Sequence, residues 1–222
     1  MPSKSSNTSE KIKDKIIENY IDYVLTERKD PASIYAFTKG LKLSEADFYV
    51  HFSSFNDIDN TIWHNAASHC ISSLKNSEEF KDYTSREKIL GLFYTLIEVL
   101  NSNRSYFIYS LEKEKSPLKT KEGLKFSILE FSKEVVNEGL ADKQLENRKY
   151  ISEKYHQAIW LNVNFILSFW VKDDSKGFEK TDAAIEKSVN LLLELMGKSA
   201  LDGFLDLGKF LYQNRFKPDF KF

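Results

Sequence analysis

Cysteine is nearly absent from this chain of 222 residues, and so are the two residues that break helices. The single Cys70 excludes an intramolecular disulfide and leaves too little thiol for a cysteine-rich metal site. With 8 glycines and 4 prolines, both far below ordinary usage, there is little material for turns and irregular loops. Helices are the expectation. Charge of one sign is missing too, since 32 Lys and Arg oppose 33 Asp and Glu. No whole-chain field draws the protein to nucleic acid or to an anionic membrane, and any basic patch must be local. No apolar run approaches the roughly 18 residues of a membrane span; the most apolar stretch, Ile159 to Val171, is shorter and holds two asparagines. The start, Met1-Pro2-Ser3-Lys4-Ser5-Ser6, lacks the apolar core of a secretory signal, so the expected location is the cytoplasm.

Catalytic motifs are missing as well. No two glycines stand closer than five residues apart, which rules out a Gly-rich phosphate loop, and no Gly-x-Ser-x-Gly, Cys-x-x-Cys or His-x-x-x-His occurs. His64 and His69 are five apart and do not share a helical face, so zinc binding with Cys70 is not expected. No metal, no cofactor and no enzymatic activity are expected.

What is present is helical periodicity over almost the whole length. Residues 1–8 are polar; from Thr8 or Ser9 a first helix carries Ile12, Ile16, Ile17, Tyr20, Tyr23 and Val24 at three- and four-residue steps until Asp30-Pro31. A short second helix over Ile34 to Leu41 puts Ile34, Phe37 and Leu41 on one face. Ser44 caps a short third helix with Phe48, Tyr49 and Phe52 turned inward or half-inward. Two short helices joined at Lys42-Leu43 form a helix-turn-helix pattern. A fourth helix, from near Asn56-Asp57 to Leu74, is long enough to join two domains. Further helices are expected over 104–114, 118–139, 146–171, 179–197 and 200–213, with Ile89 to Leu100 on another, Pro117 at a helix start, and Thr181 or Ser199 as caps. The fold class is all-α: an N-terminal three-helix helix-turn-helix domain over 9–56, then a larger helical ligand-binding and dimerisation domain over 57–213, with tails at 1–8 and 214–222.

The stretch Leu43-Ser44-Glu45-Ala46-Asp47-Phe48-Tyr49-Val50-His51-Phe52 resembles the recognition helix of the tetracycline-repressor family, whose usual form is a Val-Ser cap followed by Leu-Tyr-x-His-Phe. Ser53-Ser54-Phe55-Asn56-Asp57-Ile58 stands where that family enters its fourth helix with Pro-Ser-Lys-Glu-x-Leu. The resemblance covers roughly residues 10–65. It implies that Ser33, Tyr49 and His51 touch phosphates, that Glu45, Ala46 and Asp47 face base edges, and that Lys42 and Ser44 belong to the same surface. It also implies a homodimer, operator DNA as partner, and a small apolar or lipid-like effector whose signal travels along helix four, residues 57–74.

The sequence departs from the family at telling places. Lys42 occupies the usual glycine of the turn, Glu45 a usual lysine, and Phe55 the lysine that opens helix four. Residues 30–60 hold two cations, Lys39 and Lys42, against five anions, Asp30, Glu45, Asp47, Asp57 and Asp59. Phosphate contacts supply most nonspecific affinity, so that balance opposes DNA. Lys11, Lys13 and Lys15 stand near enough in sequence to compensate.

In the larger domain, Phe93, Tyr94, Tyr106, Tyr109, Phe131, His156, Trp160 and Asn164 are the candidate effector contacts, with Asn162 a second amide in an apolar run. Ile151, Tyr155, Ile159, Ile185, Val189, Leu192, Leu193 and Met196 supply two stripes for the core and for a dimer interface through about 146–197. The expected function is a one-component transcriptional regulator controlled by an apolar or aromatic effector. The alternative is a protein of the same fold that has given up DNA and carries a lipid or isoprenoid, as the helical accessory protein of ubiquinone biosynthesis does.

Overall fold

The structure, a computed structural model, describes residues 4–113 and 121–197. The expected helix over 200–213, the Pro117 and Ser199 positions and the tail at 214–222 lie outside the described residues. Those described are all-α, with no strand: α1 Lys4–Glu27, α2 Ile34–Gly40, α3 Glu45–Tyr49, α4 Phe55–Lys75, α5 Ser85–Ser102, α6 Arg104–Glu112, α7 Glu122–Ala141, α8 Tyr155–Val171 and α9 Glu179–Met196. They fall into two compact units. One draws on Met1–Glu78 and Leu92–Glu130, the other on Glu79–Gly91 and Phe131–Phe222. The helix-turn-helix and all of α4 therefore share one unit with α6.

In the first unit α1 begins at Lys4, ahead of the Thr8 or Ser9 cap expected from the sequence. Ile16, Tyr20 and Val24, one turn apart, are fully buried, and the helix stops where Arg28 turns left-handed at φ 55 before Pro31. Three serines then set the next three starts: Ser33 Oγ accepts from Ala36 N, Ser44 Oγ from Asp47 N and Ser54 Oγ from Asp57 N. At the second of these Asp47 answers with its own carboxylate on Ser44 N, completing a capping box.

Phe55, the residue at the family's lysine position, serves as an aromatic hub. It stacks on Tyr20 at 5.7 Å and 8°, and meets Phe37 at 5.5 Å and Phe48 at 5.9 Å edge-on. The cation lost there is replaced by packing that ties α1, α2 and α3 to the start of α4. Tyr49 departs from the inward or half-inward expectation, being 56% exposed, because Phe48 and Phe52 already fill the space beneath α3.

In the second unit, Gly139 allows α7 to pass close to its neighbours: a Cβ there would lie 2.3 Å from Ser85 Oγ and 2.9 Å from the Leu145 side chain. The helix expected from 146 begins only at Tyr155, after a short 3₁₀ turn at Ser152–Lys154. Residues 146–151 are held across to the end of α9 instead. Arg148 donates to the carbonyls of Leu195 and Gly197 at 2.6 Å each and to Tyr155 Oη at 2.8 Å, and Glu146 N donates to Met196 O. The chain bends here instead of continuing as a helix, and Tyr150 takes φ 69 within the bend.

Thr181 is likewise no cap. Its N–H and hydroxyl donate to Asp173 Oδ2 at 2.8 and 2.6 Å, so the Asp173 carboxylate, six residues before α9, satisfies part of its first turn. Burial raises that carboxyl, but hydrogen bonds from Ser175 and Thr181 outweigh it and hold the group well below the usual carboxylate range.

The turn between α2 and α3 keeps the geometry that glycine serves in the family. Lys42 takes φ 57 while Leu43 N reaches back to Thr38 O at 3.0 Å, the bond of a helix-ending left-handed motif. A side chain in that region costs roughly 1–2 kcal/mol, part of which glycine returns through its larger unfolded-state freedom. We predict that Lys42→Gly stabilises the protein by about 0.5–1 kcal/mol in urea denaturation; a destabilised variant would show that the Lys42 side chain holds the turn through contacts that outweigh the strain.

Candidate functional site

The first unit carries two features of functional interest, a surface and a buried polar cluster. On the surface, α2 and α3 present Ser33, Tyr35, Lys39, Lys42, Ser44, Glu45, Ala46, Tyr49 and Val50 to solvent. Tyr35 is 59% exposed and Val50 73%. Lys39 Nζ rests 5.6 Å from the Tyr35 ring centroid, and Lys15 Nζ donates to Leu41 O at 2.8 Å, which brings a third ammonium to the turn at Lys42. The Ser44 hydroxyl gives its proton to Asp47 Oδ2 at 2.7 Å. Asp47 is thereby drawn back onto its own cap, and the side-chain and backbone bonds from Ser44 lower its pKa. His51 is half-buried with its ring 6.3 Å from Phe52.

Two of the five anions counted on this face are not on it. Asp30 accepts from Tyr20 Oη at 2.9 Å and pairs with Lys113, beyond the end of α6. Asp59 is buried.

Asp59 is the centre of the polar cluster, which the sequence reading passed over. Its Oδ1 accepts from Tyr106 Oη at 2.8 Å and Ser110 Oγ at 2.5 Å, both on α6, and its Oδ2 pairs with Lys121 Nζ at 2.8 Å just before α7. The side chains of Asp59 and Lys121 are 6% and 4% exposed. Trp63, one turn further along α4, donates from Nε1 to Ser110 Oγ at 2.9 Å and packs on Phe107. Burial first, and the Asp59 charge second, push the Tyr106 phenol far above its ordinary value, so it stays a donor. A desolvated ion pair of this kind is worth little in net stability, but removing one partner costs several kcal/mol. It therefore fixes α4 against α6 and the start of α7. The signal was present in the sequence: Asp59 lies on the same stripe as Trp63, Ala66 and Cys70, a carboxylate where an apolar residue belongs.

Beside the cluster, His64 Nδ1 meets Ser127 Oγ at 3.1 Å across the close approach of α4 and α7. Cys70 is buried, its thiol pushed up to about 12 by desolvation, which leaves it an inert core group. Among the described residues no group of three or more His, Cys, Asp or Glu could hold a metal ion. No helix among them is long and apolar enough to cross a membrane.

The eight candidate effector contacts are divided between the units. Phe93, Tyr94, Tyr106 and Tyr109 lie in the first, where Phe93 is buried, Tyr94 is partly exposed, and Tyr109 lies under the Arg28 guanidinium at 5.6 Å. Phe131, His156, Trp160 and Asn164 lie in the second. There Phe131 packs near Phe80, His156 is half-buried, and Asn164 donates to Trp160 O at 2.8 Å while its Oδ1 is buried without a hydrogen-bond partner.

On α8 and α9 the stripes expected to be shared between core and interface are mostly core. Tyr155, Ile159, Ile185, Val189, Leu192 and Met196 are buried, whereas Ile151 is exposed and Leu193 half-buried. The exposed apolar face is a different one: Leu161, Phe165 and Phe169, one turn apart on α8, with Leu191 and Leu195 on α9. An open groove of about 480 Å³ runs along it, lined by Phe165, Phe169, Ala183, Ala184, Leu191 and the stems of Lys180 and Lys187.

A short exposed helix braced by α1 and α2, on a unit continuous with further helices, defines a helix-turn-helix protein of the all-α type. Residues 88–211, more than half of the chain, match the domain described as tetracyclin repressor-like, C-terminal, and the chain belongs to that family. A solved structure from Rhodococcus sp. RHA1, described as that of a protein with unknown function, has the same fold. It aligns at a TM-score of 0.55 and 11% identity, covering 84% of this chain and 96% of that one. Among curated proteins, none matches the sequence. The family implies a C-terminal body that binds a ligand and dimerises.

Gly123 offers a direct probe of the α4 clamp. A Cβ there would sit 2.4 Å from the Asn60 carbonyl oxygen and 2.9 Å from His64 Cβ, and the backbone cannot swing aside. Gly123→Ala is expected to cost about 1–3 kcal/mol in denaturant unfolding, in spite of alanine's better helix propensity. An unchanged or raised midpoint would mean that α4 and α7 are free to separate at Asn60.

Proposed function

We propose that the chain is a one-component transcriptional regulator of the tetracycline-repressor type, whose α2 and α3 enter the major groove of operator DNA under the control of a small apolar or aromatic effector. The observation that carries the reading is the surface of α2 and α3, where exposed Tyr35, Tyr49 and Ser33 hydroxyls stand beside Lys15, Lys39 and Lys42. Phenol and hydroxyl groups donate to phosphate oxygens without needing charge, and the lysines release counterions. With Asp30 and Asp59 turned to Lys113 and Lys121, the acidic excess that favoured a lipid or isoprenoid carrier without DNA loses two of its five members. His51 and Asp47, both half-buried, act from behind this surface, and Ser44 caps α3 at its exposed edge.

Effector contacts are assigned to Phe93, Tyr94, Tyr106 and Tyr109 within the first unit, with Phe131, His156, Trp160 and Asn164 as separate candidates within the second. Tyr106 is the one that connects them to DNA, because its hydroxyl holds Asp59 on α4. An effector that draws Tyr106 away loosens α4 at the point where the helix-turn-helix ends. The second copy of the dimer is assigned to the face of Leu161, Phe165, Phe169, Leu191 and Leu195, an exposed apolar stripe of the kind that monomeric proteins seldom leave uncovered.

Titration of the protein with duplex DNA from upstream of its own gene, at several salt concentrations, tests the first part. Binding at micromolar dimer or tighter is expected to weaken steeply with salt, and Lys39→Ala or Lys42→Ala each to reduce the slope by about one. Absence of any salt-sensitive binding would remove the DNA reading; a stoichiometric co-purified lipid in mass spectrometry would then support the carrier. For the dimer, Phe165→Asp is expected to give a folded monomer in sedimentation equilibrium. A dimer of undiminished affinity would place the interface elsewhere.

A further inference from the structure

Two carboxylates sit on the five-residue α3, and the structure gives them different fates. Asp47 is bound by Ser44 through both backbone and side chain. Glu45 is exposed, and among the described residues no hydrogen bond or ion pair engages it. At about 100° per residue, Glu45, Tyr49, Ala46 and Val50 occupy one continuous arc of roughly 140°, and all four are exposed. Val50 belongs to this arc because its backbone stays helical at φ −64 and ψ −29. Phe48 points the opposite way into the core, and Asp47 is displaced from the arc to the other side. The outward set is therefore Glu45, Ala46, Tyr49 and Val50, with Val50 standing where the family pattern had suggested Asp47.

An unpaired carboxylate facing DNA is repelled by phosphates unless it meets a donor. In the major groove, the cytosine amino group is the donor that carboxylates characteristically take, and thymine offers its methyl group to small apolar side chains. Resting on the DNA-binding reading above, we propose that Glu45 specifies a cytosine in each operator half-site and that Ala46 and Val50 specify neighbouring thymines, with Asp47 excluded from base contact. Glu45 and Val50 are separated by about 7.5 Å along α3, close to two base-pair steps of about 3.4 Å, so the thymine that Val50 reads lies about two positions from the cytosine. Tyr49, in the middle of the arc, carries a hydroxyl suited to the phosphate between them.

The test is selection of bound sites from a randomised duplex library by the full chain and by Glu45→Gln, Glu45→Ala and Val50→Ser. The wild-type chain is expected to favour cytosine at one half-site position by roughly tenfold over other bases. Glutamine pairs with adenine through N6 and N7, so Glu45→Gln is expected to replace that C·G pair by A·T; Glu45→Ala is expected to erase the preference. Both variants lose a negative charge and are expected to bind random duplex more tightly than the wild type. Val50→Ser is expected to abolish the thymine preference and leave the cytosine in place. Glu45 variants that select the wild-type base would overturn the inference while leaving DNA binding intact. A wild-type chain that retains no duplex even at low salt would overturn both.

Discussion

A carboxylate withdrawn from water governs the first unit. Asp59 is charged and almost fully buried, so it persists only with its partners in place: Lys121 on one oxygen, Tyr106 and Ser110 on the other. Those partners come from α6 and from the residue before α7, while Asp59 is in the second turn of α4, directly behind the aromatic hub at Phe55. The cluster thus specifies where α4 lies, and α4 with its hub specifies where α2 and α3 lie. Hydrophobic burial of Ile58, Ile62, Trp63 and Cys70 supplies the stability of this packing; the polar cluster supplies its register, since a slide of α4 by one residue would strand a charge.

The departures from the family pattern become intelligible once side chains are placed. Lys42 adopts the left-handed backbone that glycine would take more cheaply, next to the Leu41 carbonyl that accepts from Lys15 Nζ. Phe55 trades a phosphate contact for the ring stack on Tyr20. Glu45 remains an exposed carboxylate with no ion-pair partner among the described residues. At Lys42 and Phe55 a family feature gives way to a backbone or packing feature of this chain, which charge counting over residues 30–60 does not register.

Periodicity made the helical fold legible, because Ile16, Tyr20 and Val24, or Ile58 and Ile62, mark a buried stripe whatever the tertiary context. The caps at Ser33, Ser44 and Ser54 follow from local hydrogen bonding and are equally visible. Long-range pairing was not. Nothing local to residues 146–151 announces that Arg148 reaches carbonyls near 195–197, so periodicity alone continues a helix through them. Likewise Asp173 serves Thr181 eight residues away, which made Thr181 resemble a cap. α8 is apolar on nearly every face, and α9 carries Leu191 and Leu195 beside its buried stripe, so periodicity locates the helices but does not separate the stripe of Ile159 and Ile185 from that of Phe165 and Leu191. Charge counting over residues 30–60 misses, for the same reason, that Asp30 pairs with Lys113 and that the buried Asp59 pairs with Lys121, both partners more than sixty residues away.

The Asp59 carboxylate holds α4 to α6 through Tyr106 and Ser110 and to the start of α7 through Lys121. A double-mutant cycle measures it: Asp59→Asn, Lys121→Met and the two together, each followed by chemical denaturation. The account predicts single losses of about 3–5 kcal/mol and a double variant well short of their sum, leaving a coupling of at least about 2 kcal/mol. Single losses that add within about 0.5 kcal/mol would contradict it.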